Sequence, residues 1–231
     1  MKSERSVPRQ LALNLRLRDA SSFDNFLSGR NREALARLQA IVARDPASGG
    51  SETSLFLWGE SGCGKTHLLE AACRAAHGNG MSVAYVPLGE HERLTPDVLE
   101  NLESAALVCV DDVERIKGSR VWEAGLFALY ERLRARSGML LAAAGASPAA
   151  LGLGMPELST RLAAGWVYAV HALNDEEKLE ALRRRARTRG LDLPEEVARY
   201  VLARFPRDAH ALFALLARID GAALAAQRRL T

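Results

Sequence analysis

Short apolar runs alternate with amphipathic stretches along most of this chain. Residues 55–58, 82–86, 107–112, 139–144 and 166–170 are rich in apolar side chains and too short for ordinary helices. Runs of that length suit strands buried on both faces. The segments between them change period. Over 31–44, Ala34, Leu35, Leu38, Ile41 and Val42 fall on one helical face, and over 122–136 so do Leu126, Leu129, Tyr130 and Leu133. Residues 66–77 read as a helix closed by the Gly78 to Gly80 stop signal, 157–163 as a short helix, and 96–102 as another, with Thr95 as its cap and Pro96 in first position. Strands alternating with helices predict an α/β fold, a parallel sheet with helices on both faces. From Asn174 the pattern is helical only. Asn174 and Glu177 have capping-box spacing, and helices are expected to Arg189, over 194–204 and over 208–228. This predicts a small α-helical lid domain after the sheet.

Near the start, Leu11, Leu13, Leu15 and Leu17 alternate with other residues. Two readings fit that period: an edge strand with one buried face, or an extended peptide that inserts leucines into a partner's pocket.

The chemistry concentrates after the first apolar run. Gly59, Glu60, Ser61, Gly62, Cys63, Gly64, Lys65 and Thr66 fit the phosphate-loop pattern G-x-x-x-x-G-K-[ST], with a strand before it and a helix after it. The glycines let successive N–H groups face one phosphate, and the helix N-terminus adds its positive dipole end. Lys65 is expected at the β- and γ-phosphates and Thr66 at Mg²⁺. The third apolar run ends in Asp111 and Asp112. A carboxylate there suits the Mg²⁺ shell beside Thr66, so Asp111 is the expected second metal ligand.

Composition bounds the rest. The 231 residues allow one α/β domain plus a smaller one. A net charge of +3, from 31 basic and 28 acidic side chains, does not by itself mark a nucleic-acid binder. The basic run from Arg183 to Arg189 is open to two readings, a solvated helix end or a patch for DNA. Cys63, Cys73 and Cys109 have no metal-ligand spacing, which suits a reducing compartment. No apolar segment has signal or membrane-spanning length, so a soluble cytoplasmic protein with no membrane partner is expected.

Taken together, the phosphate loop, the paired aspartates and the trailing helices resemble the AAA+ ATPases, and within them the DnaA replication-initiator family. Ser22 to Phe26 looks like that family's FDNF linker, which implies that Phe23 lines the adenine pocket. The loop with its tail His67-Leu68-Leu69 looks like the family's Walker A run and adds His67 to the nucleotide contacts. Residues 107–112 look like its Walker B, with Asp112 where many relatives carry the base that orients the attacking water. Ser159-Thr160-Arg161-Leu162 is similar to the arginine-finger helix, which implies that Arg161 acts in trans on a neighbour's nucleotide. Arg207 falls at the sensor 2 position, over the chain's own ADP or ATP. Ser147 follows Gly145 and Ala146 where sensor 1 usually carries Asn or Asp, and Asp112 is shorter than the usual glutamate. Both features imply slow self-hydrolysis and a nucleotide, ADP above all, held as a structural ligand.

The chain ends at Thr231, just after the lid, where DnaA continues into a DNA-binding domain. Its N-terminal Gln10, Leu11 and Leu13 look like a sliding-clamp-binding motif, with Asn14 where stronger binders carry an aromatic. The resemblance thus implies three parts: a clamp-binding peptide over 1–19, an AAA+ domain over 20–172 and a lid over 173–231. It implies a regulator that docks on the DNA polymerase III β sliding clamp, acts on DnaA and prevents re-initiation. DNA near the clamp and a homo-oligomer are further expected partners. A helicase loader or remodeller is the alternative, expected to turn ATP over rapidly by itself. A nucleotide kinase is disfavoured by the helical bundle.

Overall fold

The computed structural model describes residues 21–44, 52–188 and 193–204. Five parallel strands form one sheet: β1 (Ser54–Trp58), β2 (Val83–Pro87), β3 (Leu107–Asp111), β4 (Met139–Ala144) and β5 (Trp166–Ala169), in the order β2-β3-β4-β1-β5. β1 is therefore an interior strand, next to the edge strand β5. It pairs with β4 on one side, Phe56 opposite Ala142, and with β5 on the other, Phe56 opposite Val167. Each apolar run of the sequence became a strand, shifted by one residue at most in β2 and ending one residue early in β3 and β5.

The two-residue period of the strands divides the core. Leu55, Leu57, Leu107, Cys109, Leu141 and Ala143 face α1 (Arg32–Ala43) and α2 (Lys65–Gly78). Phe56, Val108, Val110, Leu140, Ala142 and Ala144 face α3 (Arg120–Ala135) and α4 (Pro156–Ala163). Because both faces are covered, the strands read as continuous apolar runs rather than as alternating ones.

The expected helix over 96–102 is corrected. Pro96–Leu99 and Leu102–Ser104 are separate 3₁₀ turns, broken where Asn101 takes a left-handed backbone, φ 62°. Arg132 of α3 reaches across and donates to the Leu99 carbonyl and the Glu103 carboxylate, at 3.1 Å each. These bonds reward the tight turns over a helix, and no local pattern announces them. Thr95 does stand at the N-cap of the first turn with Pro96 next, but its hydroxyl donates to the Asp97 carboxylate at 3.4 Å and accepts no capping bond from the backbone.

After the sheet come α5 (Asp175–Thr188) and α6 (Glu195–Arg204), whose contact buries Leu182, Ala186, Leu193, Ala198 and Val201. The capping box is present in both directions: Glu177 accepts from the Asn174 N–H and Asn174 from the Glu177 N–H, each at 2.8 Å. The third expected lid helix, over 208–228, and the alternating leucines at 11–17 lie outside the described residues.

One buried carboxylate joins the loops around α3. Glu123, 1% exposed, accepts from the N–H groups of Gly118 at 2.8 Å, Gly154 at 3.0 Å and Met155 at 2.7 Å. It thereby fixes the entry to α4. Glu123→Ala is expected to cost about 3 kcal/mol, because three backbone N–H groups lose one charged acceptor. The measurement is the urea midpoint, and a loss well under 1 kcal/mol would show that water replaces the carboxylate without penalty.

Candidate functional site

The phosphate loop occupies the carboxyl edge of the sheet, between β1 and α2, beside the ends of β3 and β4. Two glycines are required by contact. A Cβ at Gly59 would collide with the Val170 carbonyl oxygen, and one at Gly64, φ +108°, would stand 2.9 Å from the Phe26 ring. Gly62, φ 77°, supplies a further left-handed turn. The backbone can curl here only without side chains, and the curl leaves α2 starting at Lys65 with its first N–H groups toward the loop.

Lys65 is 8% exposed, and its ammonium donates to the carbonyls of Gly59 at 2.8 Å and Glu60 at 3.0 Å. The charge is thus held at the loop mouth. Glu60, Ser61 and Gly62 form the exposed rim, while Cys63 is buried beneath it, 3.9 Å from the Lys65 nitrogen. Burial pushes the Cys63 thiol up, and the neighbouring Lys65 charge only partly opposes that.

Asp111 closes the other side. Its Oδ2 accepts from the Thr66 hydroxyl at 2.6 Å and from the Tyr85 hydroxyl at 2.9 Å, and its Oδ1 from the Asp112 N–H at 3.0 Å. Burial, with the Asp111 charge beside it, pushes the Tyr85 phenol up, so Tyr85 remains a donor. Thr66 and Asp111 are expected from sequence as a pair of metal ligands, and the fold brings them into direct contact. One hydroxyl and one carboxylate at a phosphate-loop mouth suit Mg²⁺, a hard cation that keeps most of its water. Tyr85 carries no recognisable motif and was missed.

Asp112 adopts a left-handed backbone, φ 56°, which turns it out of the strand. Its carboxyl packs against Gly89, where a Cβ would stand 2.6 Å from Oδ2. Burial first, then the charges of Asp111 and Glu114, push Asp112 above the usual carboxylate range. Beyond β4, Gly145 lies under the Glu114 carboxylate, and the Ser147 carbonyl accepts from Ala150 and Leu151 in a turn.

The aromatic linker lies against α2. Phe26 sits over Gly64 and His67, with the two ring centroids 5.5 Å apart. His67 Nε2 lies 2.9 Å from the Ser22 carbonyl, and the Ser21 hydroxyl donates to Glu70 at 2.6 Å. Phe23 packs half-buried against the same cluster. The ring on the loop itself is therefore Phe26, one turn beyond the one singled out from sequence. Asn31 exchanges two hydrogen bonds with the His171 backbone, at 2.9 and 2.8 Å, tying the linker to the strand-to-lid connection.

Arg161 stands apart from this loop, in the last turn of α4, with Nε 2.6 Å from Glu131 Oε1 of α3. Arg207, Gln10, Leu11 and Leu13 lie outside the described residues. Among the described residues no helix is long and apolar enough to cross a membrane. Lys65→Ala is expected to weaken ADP binding by on the order of 100-fold, because it removes the one enclosed cation that the described residues place at the loop mouth. Unchanged affinity in titration calorimetry would show that the loop holds no phosphate.

Comparison with known proteins agrees with this geometry. The family model for the bacterial DnaA ATPase domain matches residues 17–169, and that for the lid domain of Hda matches residues 175–231. The structure resembles replication initiator DnaA bound to AMPPCP and single-stranded DNA, at 22% identity and a TM-score of 0.72, over 88% of this chain and 65% of that one. This chain therefore spans less than two thirds of that initiator's length. It also resembles domain III of the Thermotoga maritima initiator DnaA, at 19% identity and a TM-score of 0.73, over 91% and 92% of the two chains. Thermotoga maritima RuvB is similar at 18% identity and a TM-score of 0.66, over 91% and 68%. With the DnaA ATPase-domain model covering most of its length and the Hda lid model its last residues, 175–231, the chain belongs to the bacterial DnaA family of AAA+ proteins, as a member of Hda type.

Proposed function

We propose that this protein is a regulator of replication initiation that binds the DNA polymerase sliding clamp and stimulates hydrolysis of ATP held by DnaA, so that initiation does not recur. The observation that carries the reading is the pairing of a DnaA-type ATPase domain with an Hda-type lid in one chain. The chain's own site holds ADP or ATP: Lys65 and the Gly59 to Thr66 backbone take the phosphates, Thr66 and Asp111 hold Mg²⁺, and Phe23, Phe26 and His67 border the base. Arg207 of the lid reaches the same nucleotide. Mg²⁺ supplies charge neutralisation between the phosphates.

Slow self-hydrolysis fits the residues around the loop. Neither Gly145 nor Ala146 has a side-chain donor for a γ-phosphate, and Asp112 is drawn against Gly89. The nucleotide then serves as a structural ligand that sets the lid, and the catalytic contribution goes to a neighbour. Arg161 makes that contribution. A guanidinium beside a transferring phosphoryl group stabilises the charge on its oxygens, an effect worth about 10³–10⁵ in rate where it has been measured. The domains divide accordingly: 1–19 reaches the clamp through Gln10, Leu11 and Leu13, 20–172 forms the ATPase-type body, and 173–231 the lid. Clamp docking raises the effective concentration of the body near DnaA.

Two outcomes test the division of labour. Leu11→Ala with Leu13→Ala is expected to abolish capture by the sliding clamp while the circular dichroism spectrum stays unchanged; a lost spectrum would assign these leucines to an edge strand instead. Arg161→Ala is expected to retain ADP and clamp binding but to lose stimulation of DnaA ATP turnover in the presence of loaded clamp. Lysine at that position does not restore it, since it lacks the planar fork that bridges two oxygens. Rapid ATP turnover by the chain alone, unaffected by Arg161→Ala, would favour a helicase loader.

A further inference from the structure

We propose that Glu131 is the positioning residue of Arg161: it holds the guanidinium by its Nε edge and leaves the two terminal nitrogens to meet a phosphate on a neighbouring subunit. The inference rests on the trans-acting role of Arg161 proposed above and adds the group that makes that arginine effective.

Among the described residues, the ion pair of Arg161 is the one with Glu131, through Nε, at 2.6 Å. A guanidinium presents two parallel donor pairs, and only the pair of terminal nitrogens lies at the far end of the side chain. Contact at Nε is an ion pair that tethers the group at its near end and leaves the two terminal nitrogens, the end that would reach a ligand, unconsumed. Both side chains keep an open edge, at 38% exposed for Arg161 and 37% for Glu131. Yet the Oε1 atom facing Arg161 is shut off from solvent and receives no well-aligned hydrogen bond from the protein. The ion pair thus covers that oxygen, and Arg161 leaves it only by giving up the charge contact. The other carboxylate oxygen has Arg134 one turn along α3, at 4.0 Å, which is too distant to replace Arg161.

The helix that carries Arg161 is fixed as well. Leu158 and Leu162 of α4 are buried against the side of the sheet that α3 covers, and Glu123 of α3 binds the N–H groups of Gly154 and Met155 just before α4 begins. Glu123 thus sets where α4 starts, and Glu131, two turns further along the same helix, sets the arginine near its end. A cation that must meet a transient charge gains from being oriented beforehand, because the ordering cost is not met during the reaction. An exposed arginine without such a partner samples many rotamers.

The test compares Glu131→Leu, which fills the same space without an acceptor, with Glu131→Gln, which keeps one oxygen. DnaA loaded with ATP is incubated with clamp on DNA, and turnover is measured against the concentration of the full-length regulator. Glu131→Leu is expected to lower the maximal stimulated rate about tenfold while leaving the half-saturating concentration within about twofold, the mark of lost orientation rather than lost docking. Glu131→Gln is expected to recover most of that rate. ADP affinity and the urea midpoint of both variants verify the fold. A full maximal rate for Glu131→Leu, with Arg161→Ala inactive, would overturn the positioning role and leave the trans-acting arginine intact. An unchanged maximal rate with a raised half-saturating concentration would also overturn it, placing Glu131 in the contact surface. Full stimulation by Arg161→Ala would remove the arginine's role and this inference with it.

Discussion

The hydrogen bond from Thr66 to Asp111 is the contact on which the site depends. It joins the first turn of α2 to the end of β3, across the loop that would cradle the phosphates. The two residues are far apart in sequence, so only the sheet order, with β4 between β3 and β1, brings them to one edge. Asp111 is 2% exposed and needs its partners, since an enclosed carboxylate without donors is unfavourable. Tyr85 from β2 and the Asp112 N–H complete the set, and the left-handed turn at Asp112 follows directly from that last bond. The backbone bend that sets Asp112 against Gly89 is thus a consequence of satisfying Asp111.

Much of this was legible in the residues. Strands buried on both faces must be apolar throughout, so their positions follow from composition alone. The phosphate loop is legible because its glycines answer to contacts: Val170 and Phe26 occupy the space that side chains would need. Other features could not be read. Whether a polar residue on an amphipathic helix faces water or a distant loop depends on where that loop arrives. Glu123 and Glu131 look like the solvent-facing acids of α3, and nothing near them in sequence names Gly154 or Arg161 as partners. The 3₁₀ turns around Asn101 were lost for a similar reason, because the Arg132 side chain that favours them belongs to another element.

Around the linker, the same few residues serve both the loop and the lid. Phe26 lies on Gly64 and His67, while Asn31, a short way on, clasps the His171 backbone. Gly29, φ +45°, sits where a Cβ would stand 2.6 Å from Glu177, the carboxylate that completes the cap of α5. The linker therefore packs against both α2 and the base of α5, a connection between loop and lid that does not pass through the sheet.

Arg161 lies on the other side. The phosphate-loop helix packs with α1 on one face of the sheet, and α3 and α4 pack on the other, with separate buried clusters. The two clusters share no residue, so substitutions far apart on opposite faces are expected to act additively. The geometry thus keeps two sets of residues apart: Lys65, Thr66 and Asp111 at the phosphate loop, and Glu123, Glu131 and Arg161 across the sheet. On the proposed reading the first set retains a nucleotide and the second offers a cation to a neighbour. On that reading the chain's own hydrolysis can lapse, with Gly145 and Ala146 just beyond β4, while Arg161 still serves a neighbour. Glu123 and Glu131 both belong to α3, and their partners, Gly118, Gly154, Met155, Arg134 and Arg161, all lie outside the phosphate loop, so among the described residues the two sets share no hydrogen bond or ion pair through which one could disturb the other.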